Sequence, residues 1–435
     1  MTLCLLFLFA GCATVQVTEE RDWTQQDEQA LADWETVAAN QAAAPEAVAD
    51  EVPLPESVPT DALLEVYVFD LGQADSMLVI GPAPARRTLL IDLGEPSGGM
   101  KPAHAGASAE HVVRRIREIT GRNGVDTFLL THYHADHAGF GGNAAAGWGA
   151  GIIKVLSDFS IPFVVGDFIH VQDDGSPFMD AGSSGRGVFK TIRSRMTGWQ
   201  SNGRVVTSEK ARFGPTQIDL GAGVTADILA FAGTTPGGSA LQRAATAGVN
   251  YLTAPANEND LSIALQITAG DFELFTGGDL TGTDDAAVHA LSTPRKFNNN
   301  GVIRKETFTN VEDHMVDEWV RTSRESDVEV YRANHHGSEF STTPKLLAAL
   351  DPELVIYSTG AQYGHPNQRV VKDVQATADQ LATTAVVSPS AFVSAGGRVA
   401  GEIRIVVARD GRSYTVNGVS HPAFTAAQER NGDDD

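Results

Sequence analysis

The stretch Leu130-Thr131-His132-Tyr133-His134-Ala135-Asp136-His137-Ala138-Gly139 constrains this chain more than any other part of it. Three histidines and an aspartate fall within six residues, directly after the largely apolar run Asp126-Thr127-Phe128-Leu129-Leu130. Such a run predicts a buried strand, and alternation along it would send His132 and His134 the same way. Asp136 and His137 then fall on the following turn, where backbone curvature aims them at a second, neighbouring point. Neutral imidazole and carboxylate are the ligands that zinc-class divalent ions take. A polar turn with solvated histidines is the competing reading, and four ligand-type residues at this spacing weigh against it. The pattern predicts a metal site with room for two ions.

Length and charge bound the rest. A chain of 435 residues can bury a large core in one α/β domain or in two domains. The formal net charge of −23 argues against indiscriminate binding to nucleic acid or anionic membranes, since neutralising phosphates needs Lys and Arg. A local basic patch is still allowed: Arg186, Lys190, Arg193, Arg195, Arg204, Lys210 and Arg212 stand against the single acid Glu209. That cluster reads as a solvated loop or as a polyanion contact.

Cys4 and Cys12 both lie at the extreme N-terminus, so the folded body can hold neither a disulfide framework nor a cysteine-ligated zinc. Leu3 to Ala10 is an apolar run too short to span a bilayer but suited to a signal-peptide core. Phe9-Ala10-Gly11-Cys12 resembles the bacterial lipobox, which implies a lipidated Cys12 as the mature N-terminus. Phe9 departs from the usual Leu, and no Lys or Arg precedes the apolar run. The expected organisation is a signal peptide over 1–11 and an acidic, Ala- and Pro-rich tether over 12–61. Pro45, Pro53, Pro55 and Pro59 deny that tether a long helix. A folded domain follows over 62–408, with an elaborated insertion at 139–255, and 409–435 forms a C-terminal strand and acidic tail.

Within the body, alternation and β-branched content predict strands at 64–70, 76–80 and 88–94, then a helix at 110–119 with Val112, Val113, Ile116 and Ile119 on one face. The histidine-bearing strand follows. Later strands are expected at 260–267 and 272–279 (a hairpin), 328–334, 354–358, 385–388 and 403–407, with a short helix from Pro344 to Leu350. Several of these strands end on ligand-type residues: Asp92, then the histidine cluster, then Asp279, then His335-His336. No glycine-rich phosphate loop opens a helix, and no GxSxG nucleophile motif is present.

With these segments in place, the chain resembles a metallo-β-lactamase-fold hydrolase, and within that group the corresponding domain of the competence protein ComEC and its secreted relatives. Asp70-Leu71-Gly72-Gln73-Ala74-Asp75-Ser76 is similar to that group's D-V-G-Q-G-D-S, with departures at Leu71 and Ala74. Asn259-Asp260-Leu261-Ser262 with Thr276-Gly277-Gly278-Asp279, His335-His336-Gly337-Ser338 and Tyr363-Gly364-His365-Pro366 carry the rest of the likeness. The resemblance implies a four-layer αββα sandwich binding two divalent ions, zinc or else manganese. It implies His132 and His134 on one ion, Asp136 and His137 on the other, and Asp279 bridging both. It gives His335 to the second ion, with His336 as the open alternative, and leaves the first ion without an obvious third ligand, unless Asp260 serves. Asp92 is placed to fix the tautomer of a ligand histidine. Asp75 has a similar role or is an ordinary turn residue, and His365 is a candidate for substrate contact or proton donation. The implied reaction is hydrolysis of a phosphodiester, extracellular nucleic acid included, by a water activated between two metals, with Asp136, Asp92 and His365 in the catalytic machinery. Hydrolysis of small phosphoesters, lactones or thioesters is the second reading, and a non-catalytic surface binding protein is the third.

Overall fold

The structure, a computed structural model, describes residues 61–96, 107–139, 159–166, 192, 198–240, 258–282, 295–297, 302–304, 310–360, 364–384, 392 and 396–423. The expected signal peptide, tether and acidic tail lie outside them, as do residues 385–388, Tyr363 and Arg186, Lys190, Arg193 and Arg195 of the basic cluster.

Along the chain run β1 (Leu64–Val68), β2 (Met77–Ile80), β3 (Thr88–Ile91), α1 (Ala107–Thr120), β4 (Thr127–Leu129), α2 (Ala135–Ala138), β5 (Phe163–Val165) and β6 (Thr207–Glu209). Next come β7 (Val224–Ala230), β8 (Thr234–Thr235), β9 (Gly238–Ser239), β10 (Ala264–Ala269), β11 (Phe272–Thr276), β12 (Arg295–Phe297), β13 (Val302–Arg304) and α3 (Val311–Thr322). The chain continues through β14 (Val330–Arg332), α4 (Pro344–Leu350), β15 (Leu354–Tyr357), α5 (Gln368–Gln375), β16 (Gln380–Thr383), β17 (Arg398–Val399), β18 (Ile403–Val407), β19 (Ser413–Val416) and β20 (Val419–Pro422). Two mixed sheets result. The first has nine strands in the order β20-β19-β18-β1-β2-β3-β4-β5-β6, and the second has seven in the order β17-β16-β15-β14-β11-β10-β7.

Strand alternation sorts the side chains into three apolar layers. Val66 and Val68 of β1 face the second sheet and pack in one cluster with Ile267, Phe272, Leu274, Val330 and Ile356. Tyr67, between them in sequence, points to the opposite face, where α1 contributes Val112 and Ile116 against Leu78, Leu90 and Phe128. On the outer face of the second sheet, Trp319 of α3, Leu347 of α4 and Val371 of α5 cover Phe275, Tyr331 and Val355. Helix, sheet, sheet, helix: this is the αββα sandwich of the metallo-β-lactamase fold. Fully buried side chains such as Leu78 and Phe272 each contribute roughly 1.5–3 kcal/mol by leaving water. The outer helices start where the sequence supplies caps. Asn310 accepts from Asp313 N, Thr343 from Leu346 N and Asn367 from Arg369 N, each cap adding about 1 kcal/mol. Among the described residues no helix is long and apolar enough to cross a membrane.

One expectation needs correction. Residues 139–255 are not simply an insertion, because β5 and β6 extend the first sheet and β7 pairs with β10 in the second. The run Phe163-Val164-Val165 between Pro162 and Gly166 reads as a strand in the sequence and is β5, whereas β6 and β7 are not evident from the sequence. Past Val407, where a C-terminal strand is expected, the first sheet continues with β19 paired to β18 and β20 paired to β19. A strand that the sequence reading did not place runs over Gln380–Thr383, parallel to β15, ahead of the 385–388 segment that lies outside the described residues.

A candidate dinuclear metal centre

All the chemistry gathers at one end of the sandwich, on the loops that leave β1, β3 and β4 of the first sheet and β11, β14 and β15 of the second. The strand bearing the histidine cluster is shorter than its apolar run suggests. It stops at Leu129, so His132 and His134 stand on a loop, His134 is the N-cap of α2, and Asp136 and His137 lie on that one-turn helix. Loop curvature therefore takes over from strand alternation in bringing the rings together. The His132 and His134 ring centroids are 4.9 Å apart, and those of His132 and His137 are 4.2 Å apart.

Close backbone packing fixes this loop. Asp75 N donates to Asp136 O at 2.8 Å and Gly94 N to Asp75 O at 2.9 Å. A Cβ at Gly94 would fall 1.7 Å from Asp136 O, so only glycine lets the loop after β3 lie against α2. Asp92, at φ 55°, accepts Thr131 N at 2.8 Å on Oδ1. Its Oδ2 accepts Thr131 Oγ1 and lies 2.7 Å from His137 Nδ1. A carboxylate oxygen accepts here, so His137 holds a proton on Nδ1 and the ring nitrogen it turns inward is Nε2.

From the second sheet, Asp279 follows β11. Its Oδ1 is 2.9 Å from His137 Nε2 and 3.7 Å from His336 Nε2, and its Oδ2 is 3.8 Å from His132 Nε2. One carboxylate thus faces both halves of the cluster. The loop after β14 is the least ordinary backbone in the site: His335 and His336 both adopt left-handed conformations, at φ 50° and 55°. Each costs roughly 1–2 kcal/mol for a residue with a Cβ. The neighbours hold the turn in place. His335 N donates to Gly278 O, Ser341 Oγ to Asn334 O, and Asn334 Nδ2 to the buried Glu312. This left-handed turn decides which of the paired histidines enters. His336 gives Nδ1–H to Ser358 O at 2.7 Å and turns Nε2 to Asp136 Oδ2 (3.5 Å) and Asp279. His335 Nε2 instead lies 3.1 Å from Asn259 Nδ2 and 3.7 Å from Asp279 Oδ2.

Two ligand groupings emerge, each with its donor atoms within 4.8 Å of one another: His132, His134 and Asp279, and Asp75, His137, Asp279 and His336. Asp279 stands in both groupings, as its bridging role implies, and among the described residues the grouping around His132 and His134 gains no further protein ligand. Asp260 stands in neither grouping; it is fully buried and accepts from Thr281 Oγ1. His336 rather than His335 stands in the second grouping, and Asp136 meets it from the side through His336 Nε2. His365 is half-buried beside them, its ring centroid 5.9 Å from that of His335 and 6.5 Å from that of His336.

These residues fit divalent metal ions. The Nε2 atoms of His132, His137 and His336 and Oδ1 of Asp279 are buried and make no aligned hydrogen bond. Lone pairs that face carboxylate oxygens out of water repel one another unless a cation lies among them. The electrostatics of the protein alone reflect that demand. Burial opposes charge on His137, yet Asp279 and Asp92 overcome it and hold its pKa well above the usual value. Burial lowers His132 well below the ordinary range, and His365 falls to about 3 for the same reason. Asp279 stays ionised despite burial, because His137, His335 and His336 draw its pKa well down.

Arg332 is the residue the sequence reading missed. It lies on β14, in register with Thr276 of β11, and its side chain is 4 % exposed. It forms an ion pair with Asp75 and donates from Nη1 to Gly278 O at 2.8 Å. Burial lowers its pKa to about 9, which leaves it charged at neutral pH. A lone Arg in an apolar strand, three residues before His335, was the available signal.

Residues 69–284 match the model of the metallo-β-lactamase superfamily, whose members are mostly hydrolytic enzymes. No curated protein matches the chain. Among solved structures it is similar to the metallo-β-lactamase fold protein YhfI from Bacillus subtilis, at 11 % identity over 75 % of this chain and 97 % of the other, with a TM-score of 0.33. It is also similar to Zn(2+)-bound PqqB from Methylobacterium extorquens, at 9 % identity over 78 % and 99 % of the two chains, with a TM-score of 0.38. Unliganded yeast PDE1 is similar at 10 % identity over 76 % and 89 %, with a TM-score of 0.30.

Proposed function

We propose that this protein is a metal-dependent hydrolase of phosphodiester bonds, exported and held at the bacterial cell envelope by a lipid on Cys12. The observation that carries the hydrolase reading is the convergence of His132, His134, His137, His336, Asp136 and Asp279, with Nε2 of His132, His137 and His336 buried and making no aligned hydrogen bond. Divalent ions held there supply Lewis-acid polarisation and a water activated near neutral pH. The chain's own residues do the rest. Asp92 keeps His137 in the Nδ1–H tautomer and Ser358 O does the same for His336, so both Nε2 atoms are available together. His335, Asn259 and His365 line the side of the centre away from Asp92 and are suited to contacting ester oxygens. His365, kept neutral by burial, can offer one ring N–H to an ester oxygen. The phosphodiester preference rests on the resemblance of the motifs around Asp75, Asp279, His336 and His365, and the anchor rests on Phe9 to Cys12.

The net charge of −23 favours the second reading, a small phosphoester, lactone or thioester, over bulk nucleic acid. A substrate panel tests both. Full-length protein loaded with zinc or manganese is expected to cleave bis-p-nitrophenyl phosphate or DNA, with loss of activity in the His134→Ala, Asp136→Ala double variant. Faster turnover of lactones or thioesters than of any phosphodiester would overturn the preference. Retention of a Cys12→Ser variant in the membrane fraction would overturn the anchor.

A further inference from the structure

We infer that Arg332 and Asp75 form a positioning pair that keeps the Asp75 carboxylate out of the second ion's ligand set. The inference rests on the metal centre and not on which ester is cleaved. Asp75 lies near enough to be grouped with His137, Asp279 and His336 as a ligand. The detail points the other way. The His336 atom beside Asp75 Oδ2 is Nδ1, at 3.8 Å, and that nitrogen gives its proton to Ser358 O. The Nε2 atom, which carries the lone pair, faces Asp136 and Asp279 instead. Asp75 Oδ2 also stands farther from His137 Nε2 than Asp279 Oδ1 does, 3.5 Å against 2.9 Å.

The guanidinium explains why the carboxylate is there. Arg332 is buried between the sheets, where an uncompensated cation is costly, and Asp75 is its ion-pair partner among the described residues. Its other arm grips Gly278 O, one residue before Asp279. Asp75 is tied in turn to α2 through its backbone N–H and Asp136 O. The pair therefore fixes the spacing between the loop carrying Asp136 and His137 and the loop carrying Asp279. It also spares one position on the second ion, which a catalytic ion needs and a closed structural one lacks.

The test uses full-length protein loaded with cobalt(II), whose visible spectrum reports ligand number. Asp75→Asn is expected to retain two metal ions per chain and the wild-type spectrum. Loss of an ion, or a changed spectrum, would make Asp75 a ligand and overturn the inference. Arg332→Met is expected to lose absorptivity as the freed carboxylate joins the ion, and kcat should fall about tenfold or more with KM little changed. The Asp75→Asn, Arg332→Met double variant should recover the wild-type spectrum, whereas a merely structural role would leave it as perturbed as the single variant. If Arg332→Met does not fold, Arg332→Lys, which keeps the charge, is expected to give the wild-type spectrum; a spectrum of added coordination there would count against the pair. Because the readout is the metal, a wrong ester assignment would leave these outcomes unchanged.

Discussion

Replacing Asp92 by Asn changes one atom and reverses one hydrogen bond. Asp92 Oδ1 receives the backbone N–H of Thr131, which can only donate, so the amide oxygen of Asn must stay on that side. The NH2 group then takes the place of Oδ2, facing Thr131 Oγ1 and His137 Nδ1. The threonine hydroxyl can rotate and accept. The imidazole cannot adapt without changing tautomer: Nδ1 becomes the acceptor and the proton moves to Nε2, which points at Asp279 Oδ1 from 2.9 Å. The atom meant to ligate is then blocked by a hydrogen. Loss of an outer hydrogen bond to a metal ligand typically costs about 10–100-fold in metal affinity. Because the wrong tautomer is enforced here, the Asp92→Asn loss is expected toward the upper end, about 2–3 kcal/mol. The assay is chelator competition on the apo protein at fixed pH, with circular dichroism to confirm the fold. Metal affinity within about threefold of wild type would refute the argument.

The left-handed turn makes the paired histidines unequal. His336→Ala is expected to bring metal content below two ions per chain, while His335→Ala retains two and loses turnover; elemental analysis separates these outcomes. Glu312 gives a pH signature. Burial raises its carboxyl to about 7 although Asn334 Nδ2 and the Thr342 and Thr343 amides donate to it. Between the unfolded value of about 4.5 and the folded value the native state holds the extra proton, so Glu312 makes stability fall as pH rises through that window, by up to about 3 kcal/mol. Glu312→Gln is expected to be less stable at both ends of the window yet to lose most of that slope. Urea midpoints at pH 5 and pH 8 measure it, and an unchanged slope would refute it.

The histidine cluster, Asp92 and Asp279 were legible because each follows an apolar run, and loops after strands are where a sandwich can gather distant residues. The helix on 344–350 was legible from its Thr-Pro start and its spacing of leucines. What stayed hidden depends on geometry that sequence periodicity does not encode. The choice between His335 and His336 depends on two consecutive left-handed residues, which neighbouring hydrogen bonds stabilise against local preference. Arg332 occupies an inward strand position where an apolar residue is the rule, and Asp75 on the loop after β1 together with Gly278 O makes it tolerable. Strand β6 is only Thr207-Ser208-Glu209, so pairing with β5 rather than pattern places it, whereas β5 itself was legible as the run Phe163-Val164-Val165 between Pro162 and Gly166. The place of Asp279 between the two halves of the cluster was legible, and the structure keeps it facing both His132 and His137.

The two sheets share no strand, yet each delivers only part of the centre: Asp136 and His137 come from one, Asp279 and His336 from the other. The distance between these groups is therefore a property of the apolar layer beneath them, where Val66, Phe272, Leu274 and Val330 meet. Trimming one of those side chains would let the sheets slide or settle, and a misplacement of about 1 Å can cost on the order of a hundredfold in rate. Reactivity at the rim is in this sense stored in the hydrocarbon between the sheets, well away from any charged atom.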